Sequence, residues 1–469
     1  MRPFLSVGPE RGAAFLMNTR LIVLLGLGPL VYAADEPKPR PDLPPAVRPV
    51  IELARSAAPE FFADTVVKLV EAGRIPAIPL QVEILEEALG AVSSASEPVR
   101  LMAIPGTPPD TRAIYRGKAG DLGLDALSLQ NRILRAMLTV DRGKAGELFD
   151  RIPRPVLEAR PCADPLAPDA SPYYEMAGAL AQSAFSPDEK KHGRHVQFLL
   201  IALDGARSPN ELAPFARAIQ SVELKPAEWE ILLSALAGKL EKLPADYRPF
   251  ALSIGGLRPE IEHLAQGAQA MKLGTELLAR GFRTYLVNQL TAPRCAEDFG
   301  DAAGAVQWFN SSFRGALPPI SEDETKPSAR AGGVQVDPYF HSTDSKRLSD
   351  EITRLRASTS RAGSEWSNSL ADALHDFDAW TPEGSQVDVF HQRATVLRAL
   401  FQLTPPGEDR DRVMARCVAL LQSSGMDRQN PAEWLWEVRE LQQSADRDAA
   451  KLMQAFRTSG NAALMLLTQ

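Results

Sequence analysis

Two groups of histidine and carboxylate residues are the candidates for chemistry in this sequence. Asp372, His375 and Asp376 lie in the segment DALHDFD, and a helix would bring all three to one face. Such a set could bind a hard cation or act as a hydrolytic pair of carboxylate and histidine, which makes these residues candidate catalytic groups. A charged stripe on the outside of a helix explains the same spacing, and both interpretations stay open.

The second group is a pair of histidines that could bind a metal ion. His192 and His195 are three residues apart, and Asp188 precedes them by about one helical turn. The metalloprotease pattern H-E-x-x-H does not occur, because no glutamate follows the first histidine. The segment also begins with its own helix cap. A solvated helix surface is the simpler interpretation, and the sequence predicts no metal site.

Three cysteines are available for disulfide or thiol chemistry. Cys162 and Cys295 both lie beside prolines in segments that break a helix, whereas Cys417 lies on an apolar helical face. We expect a disulfide between Cys162 and Cys295, with Cys417 buried as a small apolar side chain. Three separate thiols are the alternative. The sequence has no C-x-x-C pair and so does not support thiol redox catalysis or a structural zinc site.

The sequence lacks the motifs of the common catalytic and cofactor-binding loops. It has no nucleophile elbow G-x-S-x-G, no phosphate-binding G-x-x-x-x-G-K-[ST], and no G-x-G-x-x-G after a strand. It therefore predicts no cofactor, and it favours a protein that binds a partner over an enzyme.

Composition and charge narrow the class of partner. The chain has 469 residues, of which 45% are apolar as in an ordinary globular protein, and its net charge is −7. An acidic chain has no general affinity for nucleic acid or for anionic lipid. We expect the partner to be another protein or a peptide.

The N-terminal segment has the pattern of a secretory signal peptide. Arg20 precedes the eleven-residue apolar run LIVLLGLGPLV, and the small residues Ala33 and Ala34 follow it closely. The run is too short to span a bilayer as a helix. We expect cleavage near Ala33, which leaves an exported protein, periplasmic or secreted, without a transmembrane segment. Met17 is an alternative translation start.

Composition also divides the chain into regions. Proline and charged residues follow the signal peptide, and a polar stretch rich in proline, serine, glutamate and glycine separates two helical regions. The predicted regions are a signal peptide at 1–33, a proline-rich linker at 34–49, a helical-repeat domain at 50–316, a flexible loop or linker at 317–344, and a C-terminal helical bundle at 345–469.

The folded part is predicted to be all-α, because signals for helix starts recur along it. A proline followed closely by a glutamate is typical of a first helical turn. This pattern occurs at Pro59, Pro172, Pro187, Pro209, Pro226, Pro259 and Pro431. Apolar residues between these starts recur at helical spacing, and no run of alternating β-branched residues indicates a strand. We expect stacked helical hairpins, as in an α-solenoid or α/α superhelix, without a significant β-sheet.

The stretch from Pro259 to Leu290 carries three glycines seven residues apart, Gly267, Gly274 and Gly281. In one long helix these glycines would lie on nearly one face, where a neighbouring helix could approach the backbone closely. Such packing would offset the cost of each glycine, roughly 1 kcal/mol relative to alanine. A helical hairpin broken at Gly274 or Gly281 is the alternative.

One predicted hairpin carries features of a known repeat. From Leu127 to Pro155 the sequence has an amphipathic first helix, a turn at Asp141, then Ala145 and Phe149 four residues apart, and closing prolines. It resembles a single hairpin of the tetratricopeptide-repeat family, although its second helix is shorter and its prolines come earlier. The resemblance covers fewer than thirty residues. It implies a scaffold for peptide or protein partners.

These observations favour an exported helical-repeat protein that acts as a binding or scaffold module in the cell envelope. An α/α-toroid hydrolase or lyase acting on polysaccharide is the second hypothesis, with Asp372, Asp376 and Asp378 as its cleft carboxylates. A structural envelope protein without a ligand is the third.

Overall fold

The computed structural model describes residues 42–296, 301–358 and 364–469. These residues belong to one compact unit. The predicted signal peptide and cleavage site lie outside the described residues, as does the first half of the predicted proline-rich linker. The last two residues of that linker already belong to the first helix, which begins at Arg48. In the described part of the chain, no helix combines the length and the apolar character needed to cross a membrane.

The protein is all-α, as predicted. The described residues contain 22 α-helices, which are α1 (Arg48–Ser56), α2 (Pro59–Glu71), α3 (Ile78–Val92), α4 (Arg112–Gly120), α5 (Ala126–Val140), α6 (Arg142–Phe149), α7 (Ser171–Ser183), α8 (Pro187–Lys191), α9 (Arg194–Gly205), α10 (Leu212–Gln220), α11 (Pro226–Lys242), α12 (Tyr247–Ala270), α13 (Glu276–Thr291), α14 (Ala302–Ser312), α15 (Thr343–Ser358), α16 (Ser364–Ala379), α17 (Gln386–Leu403), α18 (Glu408–Ser423), α19 (Met426–Gln429), α20 (Pro431–Ser444), α21 (Ala449–Arg457) and α22 (Ala462–Leu466). Two short strands, β1 (Leu101–Ala103) and β2 (Leu166–Pro168), pair antiparallel with Met102 opposite Ala167.

Most of the predicted helix starts occur where the prolines indicate them. Helices α2, α8, α11 and α20 begin at a proline, α7 has one at its second position, and Pro209 opens a short 3₁₀-helix that leads into α10. Before α8 the capping box forms, because the Ser186 amide donates to Glu189 Oε2 at 2.9 Å and the Glu189 amide donates to Ser186 Oγ. These starts depend on local chemistry that a short segment carries by itself.

Pro259 is the exception, and the prediction of a helix start there is wrong. Helix α12 runs from Tyr247 to Ala270 and passes through Pro259. The apolar face of α12 is buried on both sides of the proline, at Ile254 and at Ile261. Burial of this face offsets the roughly 3 kcal/mol that a proline costs inside a helix.

The helices before residue 313 pack in two rows. Helices α5, α7, α10, α12 and α14 lie side by side in that order, and α9, α11 and α13 form a second row beside them. The predicted hairpin at 127–155 is present as α5 and α6, with Ala145 buried and the Asp141 carboxylate accepting from the Lys144 amide. Its relation to a repeat family stays a prediction.

The three glycines lie on two helices and on the connection between them. Gly281 of α13 lies against Ala237 of α11, where a Cβ at position 281 would come within 2.6 Å of the Ala237 carbonyl oxygen. A Cβ at Gly267 of α12 would lie 3.2 Å from the ring of Trp229, and Gly274 lies in the connection between α12 and α13. The chain therefore forms the helical hairpin, and a face of three glycines on one helix does not form.

The two ends of the described chain meet. Helix α1 packs on α22, and the ring of Phe61 in α2 makes an edge contact with Trp434 in α20 at 5.6 Å between centroids. One cluster of buried apolar side chains extends from Val47 to Leu464. The first and last helices thus share a core.

Residues 317–344, predicted as a flexible loop or linker, make backbone hydrogen bonds to distant segments. The Ala331 amide donates to the carbonyl of Arg294, the Gln335 amide to that of Ala163, and the Tyr339 amide to that of Asp110. These bonds hold the segment against the chain that follows α13, the segment around Cys162 and the chain that leads into α4.

Candidate functional site

The predicted carboxylate and histidine group lies on the surface of α16. Asp372 and His375 are exposed, and Asp376 is half-buried with its Oδ1 at 3.8 Å from Arg347 Nη1. Asp378 forms an ion pair with Arg416 at 2.8 Å. Ion pairs on a helix surface explain the two paired carboxylates without a catalytic role.

The two histidines lie on opposite sides of the turn between α8 and α9. His192 is the exposed residue after α8, and its Nδ1 lies 2.8 Å from the carbonyl oxygen of Asp188. His195 is buried in α9, with Nε2 at 3.6 Å from a Glu228 carboxylate oxygen. Burial lowers the pKa of His195, although Glu228 acts in the opposite direction. Across the described ranges, no three histidine, cysteine or acidic side chains are placed to bind one metal ion.

The predicted disulfide is present. Cys162 and Cys295 are joined across 133 residues of sequence, and Cys417 is a buried free cysteine. Burial raises the pKa of the Cys417 thiol to about 12, so it stays protonated and unreactive. Arg248 of α12 holds the segment around Cys162, because its guanidinium donates to three backbone carbonyls, those of Pro161, Asp164 and Leu166.

A buried polar cluster that the sequence did not indicate lies between α4, α17 and α20. The ring of His391 is between two carboxylates, with Nε2 at 2.6 Å from Glu433 Oε2 and Nδ1 at 3.1 Å from Glu437 Oε1. Arg398 donates to the other oxygen of Glu437 at 2.5 Å. Tyr115 of α4 stacks on the imidazole at 4.4 Å.

This cluster is closed to ligands. His391 has no exposed surface, and both glutamates are also buried. Burial opposes protonation of His391, but the hydrogen bonds and charges of Glu433 and Glu437 outweigh it and raise the pKa of the imidazole. A protonated histidine between two carboxylates fastens α17 to α20. We therefore assign a structural role to this cluster.

One surface of the described chain that is large enough to receive a ligand is a groove between α9 and α11. Its volume is about 1020 Å³, and it is open to solvent. Ser234, Ala235 and Gly238 are small, so α11 leaves space beside α9 that larger side chains would fill. The groove is lined by Leu200, Leu203, Asp204, Ala206, Arg207, Glu230, Ile231, Ser234, Ala235, Gly238, Lys239, Lys242, Leu243 and Pro244. We call this surface the α9–α11 groove.

Large apolar side chains are exposed at and beside the groove. Ile231, which lines it, is 50% exposed, and Ile201 of α9 is 55% exposed. The next helix of the same row, α13, exposes Leu277. Of these three side chains, Ile231 adds an exposed aliphatic surface to the groove itself.

Cationic groups gather at the C-terminal end of α9, beside the groove. Lys239 Nζ donates to the Asp204 carbonyl at 2.8 Å, and Arg207 Nη1 donates to the same carbonyl at 2.6 Å. Arg154 Nη2 donates to the carbonyl of Ile201 at 2.6 Å. The end of a helix leaves such carbonyls free and carries partial negative charge, which explains why three cations can collect there.

None of the site residues proposed from the sequence lines the α9–α11 groove. The sequence did contain a signal for it, because Ile201 and Ile231 lie off the buried faces of two helices whose cores are Leu199, Leu203, Leu232 and Leu236. Packing of the buried helix face does not explain an apolar residue that lies outside that face. Sequence alone could not show that Ile231 lines a groove, since this requires knowing that α9 and α11 are neighbours.

Comparison with known proteins adds no relative. No protein-family model, curated protein or solved structure matches the chain.

Proposed function

We propose that this protein is a binding module that receives a segment of another protein in the α9–α11 groove. The observation that carries the proposal is the combination of a groove of about 1020 Å³ with the exposed aliphatic side chain of Ile231 in its lining. Ligand-binding clefts reach this size, and a mainly apolar lining with a few polar groups is typical of them.

We also propose that the protein works outside the cytoplasm. A structural disulfide persists in oxidising compartments and is rare in the cytosol, so the bond between Cys162 and Cys295 supports export. The secretory pattern ending near Ala33 points to the same compartment.

Neither alternative from the sequence has an observation in its favour. The polysaccharide hydrolase depended on Asp372, Asp376 and Asp378, two of which lie beside arginines on the helix surface. The structural protein without a ligand leaves the open groove unexplained.

A substitution that fills the groove tests the proposal. A Cβ at Gly238 would contact no described atom within 4 Å, so Gly238→Leu can extend into the groove without disturbing α11. A leucine at Gly255 of α12 also meets open space, and Gly255→Leu is the matched control. Peptides selected on the wild-type protein from a randomised display library serve as the probe, with binding measured by fluorescence anisotropy.

We expect Gly238→Leu to weaken the binding of a selected peptide by about tenfold or more, which corresponds to about 1.4 kcal/mol. Gly255→Leu should bind as the wild type does. Failure to select any peptide, or equal loss in both variants, would contradict the proposal.

A further inference from the structure

Four cationic side chains surround one end of the α9–α11 groove. Arg207, Lys239 and Lys242 line it, and the guanidinium of Arg154 lies at the same end of α9. The carboxylates that line the groove are those of Asp204 and Glu230. The buried carboxylate of Glu211 lies at the same end, where it accepts from the Arg207 amide at 2.7 Å. Four cations against three carboxylates leave this end positive, although the whole chain has a net charge of −7.

These cations lack carboxylate partners. Among the described residues, no carboxylate oxygen lies within 4.0 Å of a charged nitrogen of Arg154, Arg207, Lys239 or Lys242. Arg410, by comparison, is paired with Asp448 at 2.7 Å. No ion pair within the described chain neutralises the positive charge at the groove, so it is available to a ligand.

The absence of a side chain at Gly205 makes room for the guanidinium of Arg154. A side chain at Gly205, the last residue of α9, would collide with the guanidinium of Arg154. The glycine thus lets Arg154 lie directly against the end of α9, next to Arg207. Burial lowers the pKa of Lys239, and the charges of Arg207 and Arg154 act in the same direction, whereas those of Asp204 and Glu211 act in the opposite direction. A carboxylate arriving at this position would relieve the repulsion among the three cations.

The hydrogen bonds to the end of α9 do not use all the N–H donors of these cations. Each arginine has five N–H donors and each lysine has three. The described bonds use one nitrogen of Arg154, one of Arg207 and the ammonium of Lys239. Lys242 is exposed and lies one helical turn beyond Lys239. Donors therefore remain for an anionic group.

We infer that the occupant of the α9–α11 groove is a segment of a partner protein in which aliphatic side chains are followed by carboxylates. The aliphatic part lies against Leu200 and Ile231, and the carboxylates lie at Arg154, Arg207 and Lys239. Complementary charge fixes the direction of the segment and discriminates against basic partners. The inference rests on the proposed function, since it names the chemistry of the ligand for the same groove.

Charge reversal tests the inference. Peptides are selected from a randomised display library on the wild-type protein, on Lys239→Glu/Lys242→Glu, and on Lys191→Glu/Arg194→Glu. The last variant makes the same change of charge near the opposite end of α9, where both residues are exposed. Circular dichroism checks that each variant is folded. If Lys239→Glu disturbs the fold because Lys239 donates to the Asp204 carbonyl, Lys242→Glu alone replaces the double variant.

We expect the wild type and the control variant to select peptides with aspartate or glutamate next to aliphatic residues. The charge-reversed variant should select lysine or arginine at those positions and bind a wild-type-selected peptide about tenfold or more weakly. The affinity of that peptide for the wild type should also fall as NaCl is raised. These results would support the inference.

Three other results separate the two proposals. If peptides bind and Gly238→Leu blocks them, but acidic residues are not enriched, the inference about charge fails and the binding function stands. If the wild type selects no peptide, both fail. If laurate binds in the groove while no peptide does, the occupant is an anionic amphiphile and the partner-protein inference is overturned.

Discussion

At the scale of single residues, His391 shows how burial and charge combine. The imidazole is fully buried, which by itself would disfavour the charged form, yet the carboxylates of Glu433 and Glu437 lie at 2.6 and 3.1 Å from its two nitrogens. The result is a pKa above the ordinary histidine value. A raised pKa in the folded state means that the native protein binds a proton that the unfolded chain releases.

This proton makes stability depend on pH. The stabilisation from His391 is fully present below about pH 6.5, the value for an unfolded histidine, and it is lost as pH rises through the higher folded pKa. Between those values the free energy of unfolding should fall by about 1.4 kcal/mol per pH unit from this residue. His391→Gln, which cannot take up the proton, should remove that slope and cost about 1–3 kcal/mol at pH 6.

Urea unfolding of the wild type and His391→Gln between pH 6 and pH 9 measures both effects. His375 is exposed on α16, so His375→Gln is the matched control and should keep the wild-type slope. An unchanged slope in His391→Gln would show that the buried imidazole is neutral.

At the scale of secondary structure elements, glycines on two helices differ in how closely a neighbouring helix approaches them. Gly281 allows α13 to approach α11 so closely that a Cβ would lie 2.6 Å from the Ala237 carbonyl oxygen. Gly255 of α12 has open space beside it within the described chain. Helical propensity alone would favour alanine at both positions.

We expect Gly281→Ala to destabilise the protein by about 1–3 kcal/mol, because the methyl group would force α11 and α13 apart. Gly255→Ala should stabilise it by about 0.4–1 kcal/mol, because alanine restricts the unfolded chain and meets no obstacle. Thermal unfolding of the two variants beside the wild type gives the comparison. Equal shifts of the same sign would show that the contact between α11 and α13 is looser than the structure indicates.

At the scale of the whole molecule, one covalent bond connects distant parts of the fold. The disulfide joins the segment after α6 to the segment after α13, and its cysteines are 133 positions apart in the sequence. Arg248 and the backbone bonds of Arg294 hold the two segments in place beside it. Closing so long a loop reduces the entropy of the unfolded chain.

We expect Cys162→Ala/Cys295→Ala to lower the free energy of unfolding by about 2–5 kcal/mol. Reductant should shift the unfolding of the wild type toward that of the variant and should leave the variant unchanged. Cys417→Ala, which leaves the disulfide intact, should keep the sensitivity to reductant. Thiol titration of the denatured, unreduced wild type should find one thiol, that of Cys417, and finding three would contradict the bond.

Local chemistry explains what could be predicted from the sequence. Prolines in the first turn mark the starts of α2, α8, α11 and α20. The first N–H groups of a helix have no acceptor within the helix, so the N–H that proline lacks is not missed there. Apolar spacing identified the protein as all-α. The pairing of Cys162 with Cys295 followed from their proline-flanked segments and from the apolar helical context of Cys417.

Tertiary structure decided the remainder, because it depends on residues that are far apart in the chain. Pro259 stays inside α12 because a buried face continues on both sides of it, and no short segment contains that information. His391 meets Glu433 and Glu437 across more than forty residues, as part of the packing of α17 on α20. The α9–α11 groove and its cations likewise exist because two helices lie side by side, so the sequence determined the helices and their packing created the site.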